Sequence, residues 1–214
     1  DIDGEATDDY SGRSVSLSGD GNTLAIGSPE FYNPLVSVNN DYGGYVKVYQ
    51  FDGTQWNQLD GKIDGEDSGD RFGYSVSLSA DGDRVAIGAP FHDVGKGLVR
   101  VYEYDGTTWN RLGEVTDHPL GGEIDGDNAG DYTGYSVSLS GDGDIVAIGN
   151  GNGSSSGYVR VYQRDESTTL GWSQLGDDID GEAPPFLSGH SVSLSSDGSI
   201  VAIGTSWHDG NTGH

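Results

Sequence analysis

Three observations predict an all-β fold built from repeated four-stranded antiparallel units. Apolar residues come in short runs that alternate with small polar ones, as in Ser75-Val76-Ser77-Leu78-Ser79. Period two is the signature of a strand with two different faces. Asp-Gly pairs separate many of these runs, and Asp-Gly between apolar runs is a strong hairpin signal. A set of markers also returns at a regular step. Ile-Asp-Gly begins at Ile2, Ile63, Ile124 and Ile179, Val-Ser-Leu-Ser at Val15, Val76, Val137 and Val192, and Ala-Ile-Gly at Ala25, Ala86, Ala147 and Ala202. Each marker steps by 61, 61 and 55 residues, the differences of those positions.

Within a unit the strands follow in order. The first ends in Ser75–Ser79, and Ala80-Asp81-Gly82-Asp83 turns it into the second, Arg84–Gly88. The third runs from Leu98 to Tyr104, and Asp105-Gly106-Thr107 turns it into the fourth, Trp109–Leu112. The first turn recurs at Gly19-Asp20-Gly21 and Gly141-Asp142-Gly143, and the last at Asp52-Gly53. Four antiparallel strands per unit at this period fit the blades of a β-propeller. The alternation and the 37 glycines exclude a helical solenoid, and no helices are expected. Trp56, Trp109 and Trp172, with Tyr49, Tyr102 and Tyr162, stand at repeated positions and are expected in the core, where large aromatics bury most area.

Phe72-Gly73 followed by Gly88-Ala89-Pro90 resembles the FG-GAP repeat of integrin α-chain propellers. Degraded versions stand at Gly12 with Gly27-Ser28-Pro29, Gly134 with Gly149-Asn150-Gly151, and Gly189 with Gly204-Thr205-Ser206. The resemblance implies a seven-bladed propeller, an extracellular setting, adhesion or ligand binding, and often calcium. That family's calcium loop joins the first two strands. Here the turn is the short Ala80–Asp83 and its counterparts, too short to wrap a cation that takes 6–8 oxygens.

The units run approximately over 1–61, 62–122, 123–177 and 178–214, a single array in which the last unit stops before its third strand. About three and a half blades are therefore expected, as a segment of a seven-bladed propeller. A propeller typically closes with four to eight blades.

Charge restricts the partners. There are 35 acidic and 10 basic residues, a net charge of −25. Such a field repels phosphates and anionic membrane surfaces and attracts cations, so nucleic-acid binding is not expected; no stretch approaches about 18 apolar residues, so membrane insertion is not expected either. There is no cysteine, which excludes disulfides and thiolate metal sites.

Two loop families are candidate sites. Each unit opens on an acidic loop, and in the first three it has carboxylates at relative positions 1, 3 and 7. These are Asp3, Glu5 and Asp9; Asp64, Glu66 and Asp70; and Asp125, Asp127 and Asp131. The fourth unit has Asp180 and Glu182 but Phe186 at the last position. Closely spaced carboxylates suit a hard cation such as Ca²⁺. Asp and Gly are equally good turn formers, so a purely structural role stays open. No cofactor is required by the pattern, and Ca²⁺ is the cation considered for these loops. The second family joins strands two and three and varies most between units: Phe31 and Tyr32 in the first, Phe91, His92 and Asp93 in the second, Trp207, His208 and Asp209 in the fourth. Variable loops on a rigid scaffold are where binding usually resides. An aromatic ring with His and Asp suits a sugar ring and its hydroxyls, and it equally suits capping of its own blade.

Catalytic signals are weak. Gly153-Ser154-Ser155-Ser156-Gly157 matches Gly-x-Ser-x-Gly, but that motif needs a strand-to-helix elbow. The sequence thus leads to the expectation of a non-catalytic extracellular or cell-surface module that presents propeller loops to a glycan or protein ligand. The alternative is a structural repeat protein that assembles with further copies, or with the remaining blades of a larger chain, in a fibre, coat or matrix.

Overall fold

A computed structural model describes residues 1–29, 43–113, 122–151, 157–181 and 188–205. Phe31, Tyr32, Glu182, Phe186, Trp207, His208, Asp209 and the Gly-x-Ser-x-Gly serines lie outside the described residues. The fold is all-β, arranged as consecutive antiparallel sheets. The first sheet holds β1 (Ser14–Leu17), β2 (Thr23–Ser28), β3 (Tyr45–Phe51), β4 (Trp56–Gln58) and β5 (Ile63–Asp64). The second holds β6 (Ser75–Leu78), β7 (Arg84–Ala89), β8 (Leu98–Tyr104), β9 (Trp109–Arg111) and β10 (Glu123–Asp125), with the short turn α1 (His92–Gly95) between β7 and β8. The third holds β11 (Thr133–Leu139), β12 (Ile145–Asn150), β13 (Tyr158–Arg164), β14 (Trp172–Gln174) and β15 (Ile179–Asp180). The described part of the fourth is the pair β16 (Ser188–Leu194) and β17 (Val201–Thr205).

The hairpins form where the sequence places them. Each Ser-x-Asp-Gly turn is tied by its own side chains. The Ser79 hydroxyl donates to Asp81 Oδ1 at 2.5 Å, and the Asp83 amide donates to the same carboxylate. The Asp-Gly turns between strands three and four work alike: Asp52 accepts the amides of Thr54 and Gln55, and Asp105 those of Thr107 and Thr108.

The outer strand differs from expectation. It is split, and Ile-Asp closes a sheet where it was expected to open the next unit. β4 pairs with the end of β3 at Tyr49–Phe51, and β5 pairs with its start at Tyr45–Val46. The first piece ends at the same point in all three sheets. The residue after the strand leucine is left-handed: Asp60 after Leu59, Gly113 after Leu112, Gly176 after Leu175. Four strand positions per blade are retained, with the fourth shared by two short pieces.

The sheets pack face to face, each first strand beside the next first strand. One core cluster joins Ala25, Val46 and Val48 of the first sheet to Val76, Leu78, Val85 and Ile87 of the second. Another joins Ala86, Val99 and Val101 to Val137, Leu139, Val146 and Ile148. The valines of Val-Ser-Leu-Ser face the preceding sheet. The serines do more than supply a small polar face, because they bond the following sheet. Ser14, Ser75 and Ser136 each donate to a glycine carbonyl of the next sheet at 2.8 Å, and Ser16, Ser77 and Ser138 each accept the next leucine amide at 2.9 Å. The glycine of Ala-Ile-Gly belongs to the same contact. A Cβ at Gly88 would overlap the Gly134 carbonyl oxygen, and the counterparts Gly27 and Gly149 meet Gly73 and Gly189 in the same way.

The Trp expectation needs correction. Trp172 is buried, whereas Trp56 and Trp109 are half-buried. They sit on the outer strands, where Trp56 packs on Phe51 at 5.2 Å and Trp109 on Tyr104 at 5.1 Å between ring centroids. Tyr49 and Tyr162 are buried and Tyr102 is half-buried.

Candidate functional site

In the second blade the acidic loop that leads into the sheet lies beside the loop that joins strands two and three. The two touch: His92 Nδ1 stands 2.7 Å from Asp70 Oδ2. Each acidic loop has a shared backbone. The residue after its seventh-position aspartate is left-handed in all three, at Tyr10, Arg71 and Tyr132, with φ of 53°, 57° and 54°.

The three carboxylates of each loop have different partners. At position 3 each acid pairs with the basic residue of the third strand. Glu5 meets Lys47 at 3.0 Å, Glu66 meets Arg100 at 2.8 Å, and Asp127 meets Arg160. Hydrogen bonding to Lys47 holds the Glu5 carboxyl below its ordinary pKa. At position 1, Asp64 meets Lys62 at 3.1 Å and Asp125 meets Lys96 at 3.5 Å. Asp3 lies in the loop ahead of β1 and is exposed.

Position 7 is buried: Asp9, Asp70 and Asp131 are 4%, 7% and 8% exposed. Two of the three are closed in the same way. Asp9 Oδ2 accepts the amides of Glu5 and Ala6 and the Tyr45 hydroxyl, at 2.6, 2.7 and 2.6 Å. Asp131 Oδ2 accepts the amides of Asp127 and Asn128 and the Tyr158 hydroxyl, at 3.2, 2.9 and 3.2 Å. Burial, with the neighbouring aspartate, pushes both tyrosines up to about 12. In the second blade the tyrosine position is Leu98, which has no hydroxyl to donate. There the partner of Asp70 is His92, and that hydrogen bond raises the imidazole pKa.

The loop that carries His92 is unusual in its backbone. Asp93 and Val94 are both left-handed, with φ of 44° and 58°, and Gly95 follows at 79°. Consecutive non-glycine residues in this region carry strain, which clusters at ligand clamps and switch regions. Asp93 is exposed and Val94 is 84% exposed. Phe91 is half-buried and packs against Tyr74 at 6.1 Å and Tyr132 at 5.3 Å, with the Arg71 guanidinium 3.8 Å over its ring. The ring therefore caps the junction of the second and third blades and anchors the loop. His92 and Asp93 are the groups it presents.

Sequence reasoning missed an aromatic arc on this side of the fold. The residue before each Ser-Val-Ser-Leu reads Arg13, Tyr74, Tyr135 and His190. Arg13 lies 4.3 Å over Tyr74, Tyr74 is 5.0 Å from Tyr135, and Tyr135 is 5.1 Å from His190. The signal was a stackable side chain, cationic or aromatic, at one fixed position in every unit.

Comparison with known proteins bears on this blade directly. Residues 63–102 match the FG-GAP repeat. The FG-GAP match runs from β5 to Tyr102 of β8, so it contains Asp70, His92 and the Phe72-Gly73 and Gly88-Ala89-Pro90 pair. No curated protein matches the chain. Among solved structures, TolB from Acinetobacter baumannii is 14% identical with a TM-score of 0.49, over 93% of this chain and 38% of that one. Sqt1 from Chaetomium thermophilum is 19% identical with a TM-score of 0.53, over 93% of this chain and 41% of that one. The likeness to Sqt1 bears on the fold alone and agrees with the blade array. The chain spans about two fifths of the length of these structures.

Proposed function

We propose that the chain is a non-catalytic binding module of the extracellular space or cell surface. It presents the loop face of its FG-GAP blade to a glycan or protein ligand. One observation carries this reading. The entrance aspartate is closed by tyrosine in the first and third blades, while in the second it meets His92 of the variable loop. His92, with exposed Asp67 and Asp93 beside it, offers hydrogen-bonding groups suited to sugar hydroxyls or to the polar rim of a protein partner. A rigid scaffold under a strained loop pre-organises such groups, which lowers the ordering cost of binding.

The test is a glycan array and a surface-protein library probed with the chain and with a His92→Ala, Asp93→Ala variant. The reading expects discrete hits that the variant loses. An array and a library without hits, or hits unchanged in the variant, would sink it.

A second reading, assembly with further blades or copies, is supported by the first sheet's face. Val15 and Leu17 are 61% and 56% exposed, where their counterparts Val76 and Leu78 are buried against a neighbouring sheet. Concentration-dependent mass by light scattering tests it; a mass fixed at one chain at every concentration counts against self-assembly.

A further inference from the structure

The second blade differs from its neighbours at three positions that converge. Position 4 of its acidic loop is Asp67, where the other loops have Ala6 and Asn128. The tyrosine that caps the buried aspartate is replaced by Leu98. The variable loop supplies His92 in its place. The result is one imidazole nitrogen and two carboxylate oxygens, from Asp67, Asp70 and His92, all within 4.8 Å of one another. Among the described residues this is the one such grouping of three metal-ligating side chains.

We propose that Asp67, Asp70 and His92 bind a divalent transition-metal cation of the zinc class. The argument rests on donor chemistry and geometry. A mixed nitrogen–oxygen set favours zinc-class ions, whereas calcium and magnesium take oxygen ligands. Metal–ligand distances of about 2.0–2.2 Å require donor atoms about 3.3–3.6 Å apart in a tetrahedral site. Asp70 and His92 already stand closer than that, at 2.7 Å. The cation replaces the proton they share, and the pair opens slightly. Asp67 is exposed, so its side chain is free to rotate inward.

Three protein ligands leave a coordination position for water or an incoming oxygen. Glu66 is not a ligand, because Arg100 holds its carboxylate at 2.8 Å. The first and third loops do not form the site, because Asp9 and Asp131 spend the same oxygen on two amides and a tyrosine. The cation shares His92 and Asp67 with the ligand reading above, but its test needs no glycan or protein, so the two readings fail separately.

The test is titration of the full chain, stripped with chelator, with zinc chloride alone, followed by cobalt(II) as a spectroscopic reporter. One zinc per chain is expected, with a visible cobalt band and no displacement by a large excess of calcium. Asp67→Asn and His92→Ala each remove the band and the stoichiometric binding, while Asp3→Asn leaves both intact. Asp67 is exposed, so Asp67→Asn folds normally by circular dichroism and keeps the test valid if His92→Ala does not fold. Absent stoichiometric zinc, binding retained in either variant, or displacement by that excess of calcium would overturn the proposal.

Discussion

The loop that leads into the second blade and those that lead into the first and third share a backbone but differ in chemistry. In the first and third, a buried aspartate accepts two amides of its own loop and a tyrosine hydroxyl. Every strong donor it meets belongs to the scaffold. In the second, the tyrosine is Leu98, and the aspartate reaches out to His92 in the variable loop. The difference teaches that a repeat protein marks function by departure from its repeat. What recurs in every unit builds the fold, and what one unit changes is free to do something else.

Breaking a closed loop gives the largest expected effect. Asp131→Ala removes three hydrogen bonds to a buried carboxylate and strands their donors, for a loss of roughly 3–5 kcal/mol in urea denaturation. Asp70→Ala is expected to cost about 1–2 kcal/mol, because the histidine it frees keeps access to water. Equal losses in the two variants would erase the distinction. Tyr158→Phe comes next, at about 1–2 kcal/mol.

Alkaline pH probes the same contact. Tyr45 and Tyr158 are held up to about 12, against about 10 for a free phenol. A raised folded pKa means the folded state keeps its protons longer, so this contribution is full below pH about 10 and is lost as pH rises towards 12. A Tyr45→Phe, Tyr158→Phe chain should show a shallower fall over that window than the wild type. The smallest effect is expected from Leu98→Tyr, which rebuilds the tyrosine cap in the second blade. Hydrogen exchange should then slow at the amides of Glu66 and Asp67, bringing them towards the protection of Asp127 and Asn128.

Much of this was legible in the sequence, and the limits have physical causes. The blades followed from Ser-Val-Ser-Leu, Ala-Ile-Gly and the Asp-Gly turns, because hairpin signals are local. The closing of each sheet by Ile-Asp was not legible. Ile63 pairs with Val46 across a hairpin and a left-handed break at Asp60, and the Asp60-Gly61 pair there reads as a turn between units, not as a break after which the chain returns to the same partner strand. The alternation showed that Ser75 and Ser77 share a face, but not that the face bonds the next blade, since that partner lies about sixty residues away. The acidic loops were visible as carboxylates at positions 1, 3 and 7. Their division among separate partners was not, because Lys47, Arg100 and Arg160 lie in another strand. His92 and Asp70 were each singled out, in different loop families. Only the fold brings them together.

The comparison between the loops is tested most directly by ligand capture with matched variants. The wild-type chain, His92→Ala and Tyr158→Phe are applied at equal concentration to the same glycan array and surface-protein library. Binding that survives Tyr158→Phe and disappears in His92→Ala is the predicted result. Binding that survives His92→Ala, or that Tyr158→Phe removes from a chain still folded, would contradict it.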